Sequence, residues 1–276
     1  MRKDSTLTRL ICALLVSVLA LGGCQLLPTA SSQSSGLAGI LERGELRVGI
    51  SGDLPPLNMK NRAGEIIGLE VDLVSALANA MGLAVQLVET PFADLIPSLE
   101  RGEIDLVISG MTMTPRRNAR IAFVGPYFIS GTSVLTKSEE IAREQEPRNL
   151  DGPNRRYVAL EGSTSIEFVE EVFSQSELVT TSDYETGVQM VIAGEVDGLV
   201  ADFHVCMHST WLHPGAGLMA VRTPFTVEPL GIGLSPTAPL LLNLVTNYLG
   251  TLEDTGLLGQ LKAKWLSDGA WLAELP

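Results

Sequence analysis

Cysteine is scarce in this chain: Cys12, Cys24 and Cys206 are the three among 276 residues. Two of them lie in the leading segment, so Cys206 stands alone in the body of the protein and no internal disulfide framework is available. Histidine is equally rare, and His204, His208 and His213 fall in one short stretch, which gives a conventional Ser-His-Asp triad little support. On a helix His204 and His208 share a face while Cys206 points elsewhere. The cluster therefore lacks a four-ligand arrangement, and no metal is expected. Basic residues are in deficit, 19 against 32 acidic for a net charge of −13, which argues against nucleic acid and against electrostatic adhesion to anionic lipid. There is no phosphate loop, no Gly-x-Ser-x-Gly elbow and no Rossmann glycine pattern after the first strand, so no cofactor is expected.

The one long apolar run, Leu10 to Leu21, follows Arg2, Lys3 and Arg9 and precedes Gly22-Gly-Cys24. It is too short to span a bilayer comfortably and reads as a secretory signal. Small residues directly before a cysteine look like a lipobox, at which bacterial lipoproteins are cut and acylated. Residues 1–23 are thus expected to be a signal peptide and Cys24 the lipidated first residue, on a flexible polar tether over 24–37. The 253 residues from Cys24 onward carry 16 basic and 31 acidic residues, a net −15. Membrane attachment is then expected through the lipid, and the location through the signal: extracytoplasmic, in the cell envelope.

Two stretches echo each other: Gly102-Glu-Ile-Asp-Leu-Val-Ile-Ser-Gly110 and Gly194-Glu-Val-Asp-Gly-Leu-Val-Ala-Asp202. In each, the glycine can close a helix in the left-handed conformation and the apolar run reads as a buried strand of a parallel sheet. Around them the pattern alternates. A first series predicts strand 46–50, helix 70–81, strand 84–88, helix 93–101 and strand 105–108. A second predicts strand 157–160, a helix opened by Ser163-Thr-Ser165, strand 178–180, helix 184–193 and strand 199–201. The extended stretches 133–136 and 224–234 read as two crossovers, and helices follow over 239–251 and 257–266. The expected fold is α/β, two doubly wound lobes joined by a two-strand hinge. Lobe 1 would take residues 38–130, lobe 2 residues 131–222, and residues 223–276 would cross back and finish lobe 1. Ligands of such sheets bind beyond the carboxyl ends of the strands, where Ser109, Gly110, Thr112 and Arg117 arrive from one copy and Asp202 from the other.

Gly68-Leu-Glu-Val-Asp-Leu-Val-Ser-Ala-Leu-Ala-Asn-Ala-Met81 resembles, position by position, the signature stretch of the bacterial extracellular solute-binding proteins of family 3, the amino-acid receptors of ABC importers. Arg43-Gly-Glu-Leu-Arg-Val-Gly49, Phe92-Ala-Asp-Leu-Ile-Pro97, Gly110-Met-Thr-Met-Thr-Pro-Arg-Arg117, Phe123-Val-Gly-Pro-Tyr127 and Gly162-Ser-Thr164 stand around it in the family's order. The resemblance covers roughly residues 38–272 and implies the periplasmic binding protein-like type II fold.

The same resemblance implies a ligand site. Arg117 matches the arginine that grips the ligand α-carboxylate, a task suited to a planar fork of donors. Thr112 matches the position offering backbone N–H and hydroxyl, and Gly110 the one whose carbonyl accepts from the ammonium. Gly162, Ser163 and Thr164 sit where a strand turns into a helix, and free N–H groups there favour an anion. Asp202 matches the acid that pairs with the ammonium. Many relatives place an aromatic where this chain has Leu54; Phe92 keeps the other apolar wall. Ser51 stands where some receptors of basic amino acids carry an acid, although Asp53 and Glu161 are nearby, so the side chain of the ligand is left open. The implied function is capture of an amino acid and delivery to ABC permease subunits by a monomer without catalytic activity. Two rivals share the fold: a cyclohexadienyl dehydratase, for which Glu161 is the tempting general acid, and a sensory lipoprotein that signals to an envelope partner.

Overall fold

Alternate apolar residues Leu46, Val48 and Ile50, none exposed, fix β1 (Glu45–Ile50) inside a sheet. The computed structural model describes residues 36–267 and 269–275; the signal segment, Cys24 and all but the end of the tether lie outside the described residues. Helix α1 (Leu37–Arg43) leads into β1. A small antiparallel sheet follows, β2 (Asp53–Leu54), β3 (Asn58–Lys60) and β4 (Ile66–Ile67). Next come α2 (Leu69–Met81), β5 (Ala84–Glu89), a 3-10 turn at Phe92–Asp94 running into α3 (Leu95–Glu100), β6 (Leu106–Val107), α4 (Pro115–Asn118) and β7 (Ala122–Ser130). The second lobe is built from β8 (Thr132–Thr136), α5 (Glu139–Arg143), β9 (Arg156–Leu160), α6 (Thr164–Val172), β10 (Glu177–Thr181), α7 (Tyr184–Ala193), β11 (Gly198–Asp202), α8 (Phe203–Leu212) and β12 (Met219–Ala220). The chain then returns through β13 (Glu228–Leu234), α9 (Pro239–Asp254) and α10 (Leu257–Leu266). Among the described residues no helix is long and apolar enough to cross a membrane.

The two echoing segments take the same conformation. Gly102 and Gly194 have φ of +71° and +74°. In each copy the residue after the glycine reaches five residues back, Glu103 N–H to Ser98 O and Glu195 N–H to Met190 O, both at 3.0 Å. The glycine itself bonds to Leu99 O or Val191 O, so both helices end in the same capping motif.

Both sheets have the same order, β5-β1-β6-β13-β7 in lobe 1 and β10-β9-β11-β8-β12 in lobe 2. The first three strands of each are parallel, but the neighbour on the far side of β6 or β11 is antiparallel. The echoed strands, read as buried strands of a parallel sheet, thus lie in mixed sheets, each with one parallel and one antiparallel neighbour. The crossing strand enters each lobe from the hinge, at the carboxyl ends of the parallel strands, and can only run the opposite way.

Strand β7 carries Gly125 and Pro126 mid-strand, a signature that reads as a turn, yet it is nine residues long. It survives as an edge strand whose pairing with β13 shifts register between Leu230 and Ile232. Its last residue, Ser130, pairs with Glu228, the first of β13. Beside them Phe225 N–H donates to Thr132 O at 2.8 Å, so the outgoing and returning crossovers touch. Gly131 lies between: a Cβ there would stand 2.1 Å from the Thr226 carbonyl oxygen. The returning helices close over lobe 1, where Asp72 of α2 takes Lys264 at 2.6 Å and the Trp265 indole N–H at 2.7 Å.

Candidate functional site

Thr114 ends an extended stretch and its hydroxyl accepts the Arg117 N–H, starting the short helix α4 with Pro115 in the first turn. That turn aims Arg117 inward, where it is 9% exposed. Its guanidinium lies 5.5 Å from the centre of the Phe92 ring. It donates to the Thr112 carbonyl of its own lobe at 2.9 Å and to the Gly162 carbonyl of the other lobe at 3.0 Å. Burial pushes its pKa down, opposed by Glu167, Glu228 and Asp202. Neither hydrogen-bond partner is an anion, so the fork retains its charge and its spare donors for one.

Asp202 ends β11 from the opposite lobe and is likewise 9% exposed. Its Oδ1 is buried with no hydrogen-bond partner. Burial, then repulsion from Glu228, raise its pKa to about 7, against the Ser130 hydroxyl and Arg117. Such a carboxyl favours the arrival of a cation with donors.

Gly110, just beyond β6, has a φ of +60°. Its N–H donates to Glu70 Oε1 at 2.7 Å, and Glu70, fully buried in α2, also accepts from Tyr127 and Asn58. Burial raises the Glu70 pKa while those three donors oppose it. The network holds the Gly110 backbone through its N–H. Leu54 covers Gly110 so closely that a Cβ on Gly110 would be 2.3 Å from its Cδ2.

Ser109 and Ser163 are close by, but their hydroxyls are committed elsewhere. Ser109 accepts from Ser51 N–H and donates to Ser51 Oγ, while Ser163 donates back to Leu160 O at 2.7 Å. Gly162, with φ of +75°, brings its turn against Ala93, where an added Cβ would be 3.0 Å from the Ala93 Cα. Thr112 and Thr164, one from each lobe, both donate their hydroxyls at 2.7 Å to Glu228 Oε2.

Glu228 and Tyr184 are the residues that sequence reasoning missed. Glu228 accepts two further hydroxyls at Oε1, from Thr132 at 2.6 Å and Thr226 at 3.0 Å. Burial pushes its pKa up, but the four hydroxyls outweigh this and hold it below the usual value. Its signal was an acid in the apolar run Glu228-Pro-Leu-Gly-Ile-Gly-Leu234. Tyr184 opens α7, 6% exposed, and its backbone N–H donates to Asp53 Oδ2 across the lobes at 3.2 Å. Its phenol feels Asp202, Asp53 and Glu228, and burial first, then these charges, hold its pKa well above the ordinary value.

Two cavities flank this centre. One of about 370 Å³ lies outside Arg117, between Phe92, Met111, Gly162 and Glu167. Another of about 480 Å³ lies between Asp53, Met59, Tyr184 and Ser209. Asp53 Oδ1 is buried without a partner, and burial raises its pKa. Glu161 is exposed and takes the Thr180 hydroxyl, so it is not an acid held within the cleft. The Cys/His cluster packs into lobe 2. His204 Nδ1 is 3.0 Å from Ser130 Oγ, His208 Nδ1–H donates to the His204 carbonyl, Cys206 is buried, and His213 faces Glu185 at 3.6 Å.

Residues 46–268 match the model of the bacterial extracellular solute-binding proteins, family 3. The chain is 28% identical over 251 residues to cyclohexadienyl dehydratase of Pseudomonas aeruginosa, covering 90% of this chain and 93% of the relative. It is 26% identical over 227 residues to ABC transporter arginine-binding protein 1 of Escherichia coli, covering 80% and 90% respectively. The crystal structure of an ancestral amino acid-binding protein, a precursor of cyclohexadienyl dehydratase, superposes with a TM-score of 0.76 at 31% identity, over 83% of this chain and 99% of that one. With a family match running from the first strand to the last helix, and with the two-lobed fold and interlobe cleft described above, the chain belongs to the bacterial extracellular solute-binding proteins, family 3.

Proposed function

We propose that the protein captures an amino acid between its lobes and delivers it to an ABC permease, held at the membrane by lipid on Cys24. One observation carries the reading: a buried guanidinium without an anionic hydrogen-bond partner and a buried carboxyl oxygen without any partner approach from opposite lobes. An α-carboxylate on Arg117, with the backbone N–H groups of Thr112 and Thr164, and an α-ammonium on Asp202 and the Gly110 carbonyl would complete both. Leu54 and Phe92 are the apolar walls along the ligand. The unpartnered Asp53 Oδ1 supports a cationic side chain, in keeping with the arginine-binding relative.

A thermal-shift screen against the common amino acids tests the reading, because a ligand that binds only the folded form raises its melting temperature. Arg117→Ala is expected to weaken binding of the best ligand by about 2–5 kcal/mol, by leaving a carboxylate unpaired in a closed cleft. No shift with any amino acid, or unchanged affinity in this variant by calorimetry, would refute it.

The similarity to the dehydratase supports a second reading, an enzyme acting on a carboxylate substrate in the same cleft. Its first candidate acid, Glu161, is exposed, which weakens the case. Turnover of prephenate or arogenate by the purified protein decides between the two.

A further inference from the structure

We propose that Glu228 is a positioning residue that makes the cleft select a ligand bearing an ammonium, by turning the Thr112 and Thr164 hydroxyls into acceptors. The inference rests on the amino-acid reading and follows from counting protons. A hydroxyl has one proton to donate, and an ionised carboxylate has none. Thr112 Oγ1 and Thr164 Oγ1 each lie 2.7 Å from the same oxygen, Glu228 Oε2, so both must donate to it. Only their lone pairs then remain for a ligand. Thr132 and Thr226 occupy Oε1 and hold the carboxylate in place, at 2.6 and 3.0 Å.

The consequence is a division of labour at the cleft. A ligand carboxylate finds donors in Arg117 and in backbone N–H groups, but none in these two hydroxyls. An ammonium finds acceptors in them, beside Asp202 and the charge of Glu228 itself. Glu228 also joins four segments: Thr112 of lobe 1, Thr132 and Thr226 of the two crossovers, and Thr164 of lobe 2. Because Thr112 and Thr164 reach one oxygen from different lobes, the acceptors are arranged only when the cleft is closed. Selection therefore acts on the closed form, at the moment the ligand is enclosed.

The test compares Glu228→Gln with the unaltered protein, using L-arginine, L-lysine and L-glutamine, each paired with its 2-hydroxy acid counterpart. The glutamine removes the charge in either amide orientation, and in one of them pushes the threonine protons toward the ligand. The unaltered protein is expected to prefer the amino acid over its hydroxy acid by about 100-fold or more. In Glu228→Gln that ratio should fall about tenfold or more, with hydroxy-acid affinity within about threefold of the original. An unchanged ratio overturns the proposal, and so does an equal loss of both ligands, which would mark a purely structural role. If Glu228→Gln does not melt cooperatively, Thr164→Val replaces it; the ratio should fall about threefold, one acceptor being lost, and an unchanged ratio again overturns the proposal. If the unaltered protein binds none of the common amino acids, the amino-acid reading fails and the proposal falls with it; if it binds one other than these three, that amino acid and its 2-hydroxy acid take their place in the comparison.

Discussion

At the scale of single residues, Asp202 holds a charge at a cost to the ligand-free fold. Its carboxyl ionises at about 7 in the folded protein against 3.8 ordinarily. Between those values the unfolded chain binds fewer protons than the folded one, so this residue's contribution to stability falls as pH rises from about 4 to about 7. Asp202→Asn is therefore expected to be more stable than the unaltered protein at pH 8, by roughly 1–3 kcal/mol. The gap should close as pH is lowered toward 4, and denaturant melts across that range would measure it. A gap independent of pH would contradict the assignment. An ammonium ligand must bind the ionised form, so near pH 7 about half a proton should be released per ligand, read by calorimetry in buffers of different ionisation enthalpy. The His204 imidazole pulls the other way. Burial, with His208 beside it, lowers its pKa to about 3, so its contribution to stability declines as pH falls below the ordinary histidine value.

At the scale of elements, the crossovers decide where the lobes can go. The Cβ of Gly131→Ala would meet the Thr226 carbonyl at 2.1 Å, a backbone atom that cannot swing aside. That substitution is expected to cost about 1–3 kcal/mol or more of stability in denaturant melts, as overpacking does. Helices 184–193 and 257–266 match their expected bounds residue for residue; in the first, the Asp183 cap, apolar periodicity and the closing Gly194 all agree. Strand β7 was not legible: Gly125 and Pro126 mark a turn locally, and only pairing at a sheet edge with a register shift makes them a strand. The site divides in the same way. Arg117, Thr112 and Asp202 stand in motifs of fixed order, whereas Glu228 gains meaning only when two crossovers and two lobes bring four threonines to it. Short-range pattern does not encode such a convergence.

At the scale of the whole molecule, closure rests on contacts of unequal weight. Arg116 pairs with Glu167 across the lobes at 2.8 Å, but the two side chains are 82% and 44% exposed. Its neighbour Arg117 is buried between carbonyls of both lobes. Arg116→Ala should therefore change ligand affinity by at most about 1 kcal/mol, and by less at high salt, while Arg117→Ala removes most of it. Titration of both variants at low and high ionic strength would separate a screened surface pair from a desolvated grip.

The pairing of Ser130 with Glu228 bears on how such a molecule could be assembled or taken apart. These two residues face each other at the end of an antiparallel ladder, the place where a hairpin would ordinarily turn. Everything from 131 to 227 is thus spliced into what would otherwise be a turn, and a two-residue loop could span the gap left by its excision. In engineering terms lobe 2 is a cartridge: its entry and exit lie side by side, so another domain with neighbouring termini could be carried at the same point without rerouting a strand of the host.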